Sequence, residues 1–443
     1  MVIEKSLLYQ RVFFIAFWIR ALYSFVAQEL MPFLESSQSY VFIAFDLIIV
    51  ALGLITLRKK TDIILLLTFI VFTYYSSCMV NPLSVGFYLN GMRDFIPFLF
   101  LFPIFGYFFE DAERKDRFIK DFDKNLFIFL IIQFPCLVFQ FLKYGANDHG
   151  GGSLGNWNSG VVSTLIYLVS FYLIQKKIDP KHYLASLWEN KIYVILLIPS
   201  FLNETKISFI FFVLYFLLLL PIDRKIFIRA LIAIPVVAIL LWGVIIGYMS
   251  AIGGTTEGNI FSTEYYTEMY LMNDDSEAYA QWLSDRDDED IEDIPRFTKL
   301  MIIPEVFSEN PNHSMVGFGV GHFKGGSIIE NSKFFMEYEW LLYGSIPYLF
   351  HLIIQVGIIG LIWFVCFWII KMGFSRKGYK RDLNLQLYII LAVVLILFYN
   401  DSLRSSFMML VLIYLIERSF IPKKDIEDIN ESNIDDEEKA INA

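Results

Sequence analysis

Charge is scarce in this chain. Asp, Glu, Lys and Arg make up 19% of its 443 residues, where a soluble domain averages about 25%. Cysteine is scarcer still: Cys78, Cys136 and Cys366, each inside an apolar run. An odd, unclustered set argues against a disulfide frame or a thiolate metal site. Five histidines are present, and no two have the i, i+4 spacing of a zinc helix. The acidic run Asp285-Arg286-Asp287-Asp288-Glu289-Asp290 lacks the alternating carboxylates and turn glycine of a calcium loop. No metal and no cofactor is therefore expected. A leader-peptide cleavage site is missing too. The first apolar run begins near Leu8 and is too long for a signal-peptide core, so it reads as a retained span. No internal repeat of the kind many transporters carry is visible.

Apolar side chains fill the space that charge leaves. They make up 56% of the chain, with 45 phenylalanines and 25 tyrosines. Runs of about 18 or more apolar residues recur, enough to cross roughly 30 Å of hydrocarbon. The expected fold is an all-α polytopic membrane protein of about twelve spans. They cover residues 8–28, 39–57, 62–80, 92–109, 125–143, 158–175, 191–203, 206–221, 226–250, 346–370, 385–400 and 404–420. The seventh and eighth are short, so they read as tilted or broken. Four regions follow: a bundle over 1–250, a loop over 251–345, closing helices over 346–421 and an acidic tail over 422–443.

Basic residues alternate between the connections. Seven segments, from Lys5 and Arg11 to Arg418, Lys423, Lys424 and Lys439, hold 26 of the 36 Lys and Arg. By the positive-inside rule these segments are cytoplasmic, so both termini are inside and the late loop is extracytoplasmic. The net charge of −10 gathers in that loop and in the tail; nucleic acid is not an expected partner. A few cations fall where they cost energy: Arg20 mid-span, Arg93 at the start of a span, Lys206 and Arg404 in short breaks. Each reads either as a structural pair, such as Arg93 with Asp94 or Arg404 with Asp401, or as part of an anion-binding cavity.

The loop from Ala251 to Gly344 is where polar chemistry concentrates. Its acidic run reads as a solvated surface. Arg296 to Phe307 reads as a helix with an apolar face. Gly317-Phe-Gly-Val-Gly-His322-Phe-Lys324-Gly-Gly326 has the glycine spacing either of a tight turn or of a phosphate cradle. His322, between the glycines and Lys324, is the histidine best placed for chemistry.

Four segments together resemble the Wzy-type O-antigen and capsule polymerases and the related O-antigen ligases. They are Gly91-Met-Arg93-Asp94-Phe95; Gly152-Ser-Leu-Gly155-Asn-Trp-Asn158-Ser-Gly160; Thr205-Lys206-Ile-Ser208; and Arg296 followed by Gly317-Phe-Gly-Val-Gly321 and Gly357-Ile-Ile-Gly360. Their order spans residues 60–420. Ligases carry a His-Asn pair about eleven residues before the last motif; here that place holds Ser345-Ile346, so the polymerases are the nearer likeness. The resemblance implies a lipid-sugar glycosyltransferase bundle in the bacterial cytoplasmic membrane. Its substrate would be a glycan on undecaprenyl pyrophosphate, with membrane lipid and a chain-length regulator as further partners. Leaving-group charge calls for cations, so Arg93, Lys206, Arg296 and Arg404 are candidates for the pyrophosphate. Arg296, His322 and Glu339 are candidates for catalysis, with Glu337 beside them. Trp157, Trp340 and Tyr343 are candidates to stack on sugars, a place interfacial anchoring explains equally. A ligase-like transferase and a transporter or flippase, with Arg20 on the path, are the alternatives.

Overall fold

The computed structural model describes residues 4–145, 149–156, 158–179, 181–203, 207–220, 296–309, 311–323, 332–342, 346–372 and 379–422. The expected span 226–250, most of the late loop with its acidic run, and the tail lie outside them.

Helices dominate, as a chain in lipid requires: only internal hydrogen bonds can satisfy its backbone there. In chain order they are α1 (Lys5–Phe25), α2 (Gln38–Thr56), α3 (Lys60–Tyr74), α4 (Val85–Met92), α5 (Ile96–Phe109), α6 (Ala112–Tyr144) and α7 (Ser159–Gln175). Short α8 (Tyr183–Glu189) and α9 (Lys191–Ile195) precede α10 (Ile207–Leu219). After the undescribed stretch come α11 (Arg296–Glu309), α12 (His313–Val316), α13 (Lys333–Tyr338), α14 (Tyr348–Met372), α15 (Leu383–Tyr399) and α16 (Ser406–Arg418). Two short strands, β1 (Tyr379–Arg381) and β2 (Phe420–Pro422), pair antiparallel with Lys380 opposite Ile421.

Among the described residues, five helices are long and apolar enough to cross a membrane, or six if the pair α4 and α5, bent by 51°, counts as one broken span. That is fewer than the expected twelve. The apolar runs at α7, α10, α15 and α16 are helical but short. At 13 residues, α16 is about 20 Å long. Conversely, α6 runs 33 residues, beginning at the Asp111 cap well before the expected span 125–143. A charged first part does not stop a helix, because Lys, Arg and Glu are good helix formers.

Burial separates two kinds of helix. Residues Phe407 to Ile416 of α16 are buried without interruption, and α5 and α7 nearly so. These are apolar all round and form the middle of the bundle. By contrast α2, α3 and α14 expose apolar faces, including Leu47, Val71 and Ile362. Such a surface needs an apolar solvent, so the protein is membrane-embedded. Polar side chains register the helices. Lys371 of α14 pairs with Asp62 of α3, Gln10 of α1 donates to Asp121 of α6 at 2.6 Å, and Lys143 of α6 meets Glu29, just beyond α1, at 2.8 Å. Apolar contact alone cannot select a register in lipid, where helix and solvent are equally apolar.

Candidate functional site

Several helix ends meet at one end of the bundle, and each brings an ionisable side chain. Arg93 sits in the bend between α4 and α5. Its Nε donates to Asp46 Oδ2 on α2 at 2.8 Å. Sequence adjacency suggests Asp94 as its partner, but consecutive residues in a turn point apart. Asp94 instead meets Arg404 Nε at 3.3 Å and His351 Nε2 at 3.6 Å. Arg404 Nη1 also donates to Asp401 at 2.9 Å, the pairing that adjacency does suggest. Arg93 keeps 28% of its side chain accessible and Arg404 keeps 25%, so neither guanidinium is sealed by its carboxylates.

Arg20 completes the group from α1. Its Nε donates to Ser406 Oγ at the start of α16, 3.3 Å away. Its guanidinium lies 4.1 Å over the Phe42 ring, and both Asp46 and Arg93 are within electrostatic reach. Asp46 feels Asp94 as well, so the Arg20–Arg93 and Arg404 centres form one connected network. Arg296, at the first position of α11, reaches the same end. Its guanidinium sits 4.2 Å over the ring of Tyr399, which closes α15 just before Asp401.

His351 comes from the apolar run of α14. It is buried to 1% exposure on α14, with Gln355 Nε2 at 2.5 Å from its ring and Phe323 stacked on it at 5.2 Å. A signal was there. His351 and Gln355 are four apart, so they share one face of an otherwise apolar helix.

The described part of the glycine loop, residues 317–323, packs against the break in α14. Gly357 has φ 62° and ψ −168° in the middle of α14, which breaks the helix and frees carbonyls of the preceding turn. Phe318 N donates to Ile354 O at 2.8 Å and Gly319 N to Gln355 O at 2.9 Å. Gly317 N bonds His313 O, and Val320 N bonds Ser77 Oγ at 2.8 Å. Four consecutive amides are thus engaged inside the protein, so they are not a phosphate cradle. Glycine is required because backbones touch. A Cβ on Gly321 would overlap Phe87 O, and one on Gly91 would overlap Gly321. The first and the last of the four resembling segments therefore meet in space.

His322 follows this loop and is 9% exposed. Burial pushes its imidazole down to about 3, with nearby His313 adding to the shift. A base works best with a pKa near the working pH, so this environment suits packing better than proton transfer. Apolar α11 residues Ile302, Ile303, Val306 and Phe307 pack with Phe318, Phe350 and Ile354, so the expected helix after Arg296 is present with its apolar face buried. Lys206, Lys324, Trp157 and Tyr343 lie outside the described residues, as do the side chains of Glu337, Glu339 and Trp340. Among the described residues, no three His, Cys, Asp or Glu side chains are grouped to hold a metal ion.

No protein-family model matches the chain, and no curated protein is significantly similar to it.

Proposed function

We propose that this protein polymerises undecaprenyl-pyrophosphate-linked oligosaccharide repeat units at the outer face of the cytoplasmic membrane. The observation that carries the reading is the gathering of Arg20, Arg93 and Arg404, from distant parts of the chain, at one end of an apolar bundle. Intramembrane cations are costly and are kept where they bind or move something. In the reaction, a sugar hydroxyl of the incoming unit attacks the anomeric carbon of the growing chain. The new C–O bond forms as the bond to pyrophosphate breaks, and the pyrophosphate leaves with the electron pair. Guanidinium groups stabilise that developing charge, most strongly where water is excluded. The hydroxyl proton needs an acceptor. Asp94, 12% exposed and held by Arg404 and His351, is the best-placed carboxylate. His351 is a positioning residue behind it. Arg296 supports the same site from the loop side.

The test is purified protein with a lipid-linked repeat unit. A ladder of products supports the polymerase. One transfer to lipid A core would assign a ligase instead, and unchanged substrate would favour transport. Asp94→Asn keeps the shape and removes the base, so its ladder should fall at least a hundredfold in rate, in line with general-base contributions of about 10²–10⁴. A normal ladder from folded Asp94→Asn would remove Asp94 from the chemistry.

A further inference from the structure

The cation centres at this end differ in sign. Arg404 has two carboxylate partners, Asp94 and Asp401. Its centre therefore carries more negative than positive charge. Arg93 and Arg20 share one carboxylate, Asp46, which leaves a surplus positive charge. Arg20 is also only 9% exposed, and its Nη1 has no hydrogen-bond partner among the described residues. A buried guanidinium with an unmatched donor is expensive. It is best explained by a ligand whose oxygens take that donor. Phe42 holds the plane of the group from one side, so the donor edge is fixed in direction.

We propose that Arg20 and Arg93, around the shared Asp46, form an anion subsite for the pyrophosphate of a prenyl lipid, and that Arg404 is no part of it. The class of lipid rests on the polymerase reading; the subsite itself rests on charge and geometry. Arg93 and Asp94 are neighbours in one bend, so the leaving group would lie on the Arg93 side and the attacking hydroxyl on the Asp94 side. Arg404 then orients the acceptor carboxylate rather than binding phosphate. Arg20, which sequence alone offers to a transport path, becomes a binding residue for the departing group.

Binding of farnesyl pyrophosphate and of inorganic pyrophosphate to the full-length protein in detergent, followed by calorimetry, tests this. Arg20→Met and Arg93→Met should each weaken farnesyl pyrophosphate at least tenfold. Asp46→Asn should tighten it several-fold, because it removes the carboxylate that Arg20 and Arg93 share. A purely structural cluster predicts weaker binding or none in all three. Lys143→Met strips a cation from the separate pair with Glu29 and should leave binding unchanged. Wild-type affinity in folded Arg20→Met, or weakened binding in Asp46→Asn, overturns the subsite. Should Arg20→Met fail to fold, the Asp46→Asn result decides alone. Equal affinity for the inorganic anion overturns the lipid part. Binding requires no glycan transfer, so the two ideas fail separately. Intact binding without a ladder sinks the polymerase and spares the subsite; a full-rate ladder from Arg20→Met does the reverse.

Discussion

At the scale of single residues, what matters is which partner a buried ionisable group finds. Arg93 and Asp94 are adjacent, yet they serve opposite halves of the network, because a turn directs neighbouring side chains apart. His322 shows what burial does to a titrating group. Its folded pKa of about 3 lies below the ordinary histidine value of about 6.5. The unfolded chain therefore takes up a proton that the fold resists. This part of the stability is intact above pH 6.5 and falls as pH drops toward 3. Between pH 6.5 and 5 the loss is about 2 kcal/mol, at 1.36 kcal/mol per pH unit. His322→Gln should flatten the acid side of a plot of melting temperature against pH. An unchanged slope would mean that His322 is protonated in the fold.

At the scale of elements, the controlling feature is the break in α14. A helix interrupted inside an apolar bundle must satisfy its freed carbonyls elsewhere. The loop Gly317–Gly321 does so from earlier in the chain, and the same insertion brings Phe323 onto His351. Gly357→Ala forces a left-handed φ on a residue with a Cβ, at a cost of about 1–2 kcal/mol, and drives that Cβ into the backbone of Met315 and Gly317. The variant should melt well below wild type. Gly86→Ala is the contrast: its Cβ meets only Ser84 Oγ at 3.7 Å, within α4. It should be neutral, or stabilise by up to about 1 kcal/mol through helix propensity. Equal melting temperatures for the two variants would show that the loop and the break are not coupled.

At the scale of the whole molecule, the basic residues and the site lie at opposite ends of the helices. Arg58 and Glu110 pair at 3.2 Å, and Arg117 reaches Glu4 at 3.6 Å. These contacts join the end of α2, the end of α5 and the starts of α1 and α6. The network of Arg20, Arg93 and Arg404 joins the other ends. The charge rule then predicts that this second end faces outward together with the late loop. Cysteine placed at Ser276 should react with an impermeant thiol reagent on intact cells, or on spheroplasts where an outer membrane is present. Labelling only after lysis would reverse the orientation and place the site on the cytoplasmic side.

Composition and periodicity by themselves determined the membrane class, the positions of most apolar helices and the helix after Arg296, because a lipid solvent imposes long apolar runs whatever the tertiary contacts. They also marked Arg20, Arg93 and Arg404 as costly cations, since charge in an apolar run stands out in any register. Only the tertiary structure decided the partners: Asp46 for Arg93, Asp94 for Arg404 and His351, and helix carbonyls and Ser77 for the glycine-loop amides. The reason is physical. Helix lengths follow from local hydropathy, but which ends meet depends on bends at Arg93 and Gly357 and on contacts between residues hundreds of positions apart, such as Asp94 with Arg404. Those contacts leave no periodic trace in the sequence. The same holds for the shortness of α16 and the strand clip, where packing within the bundle sets an extent that hydropathy alone does not.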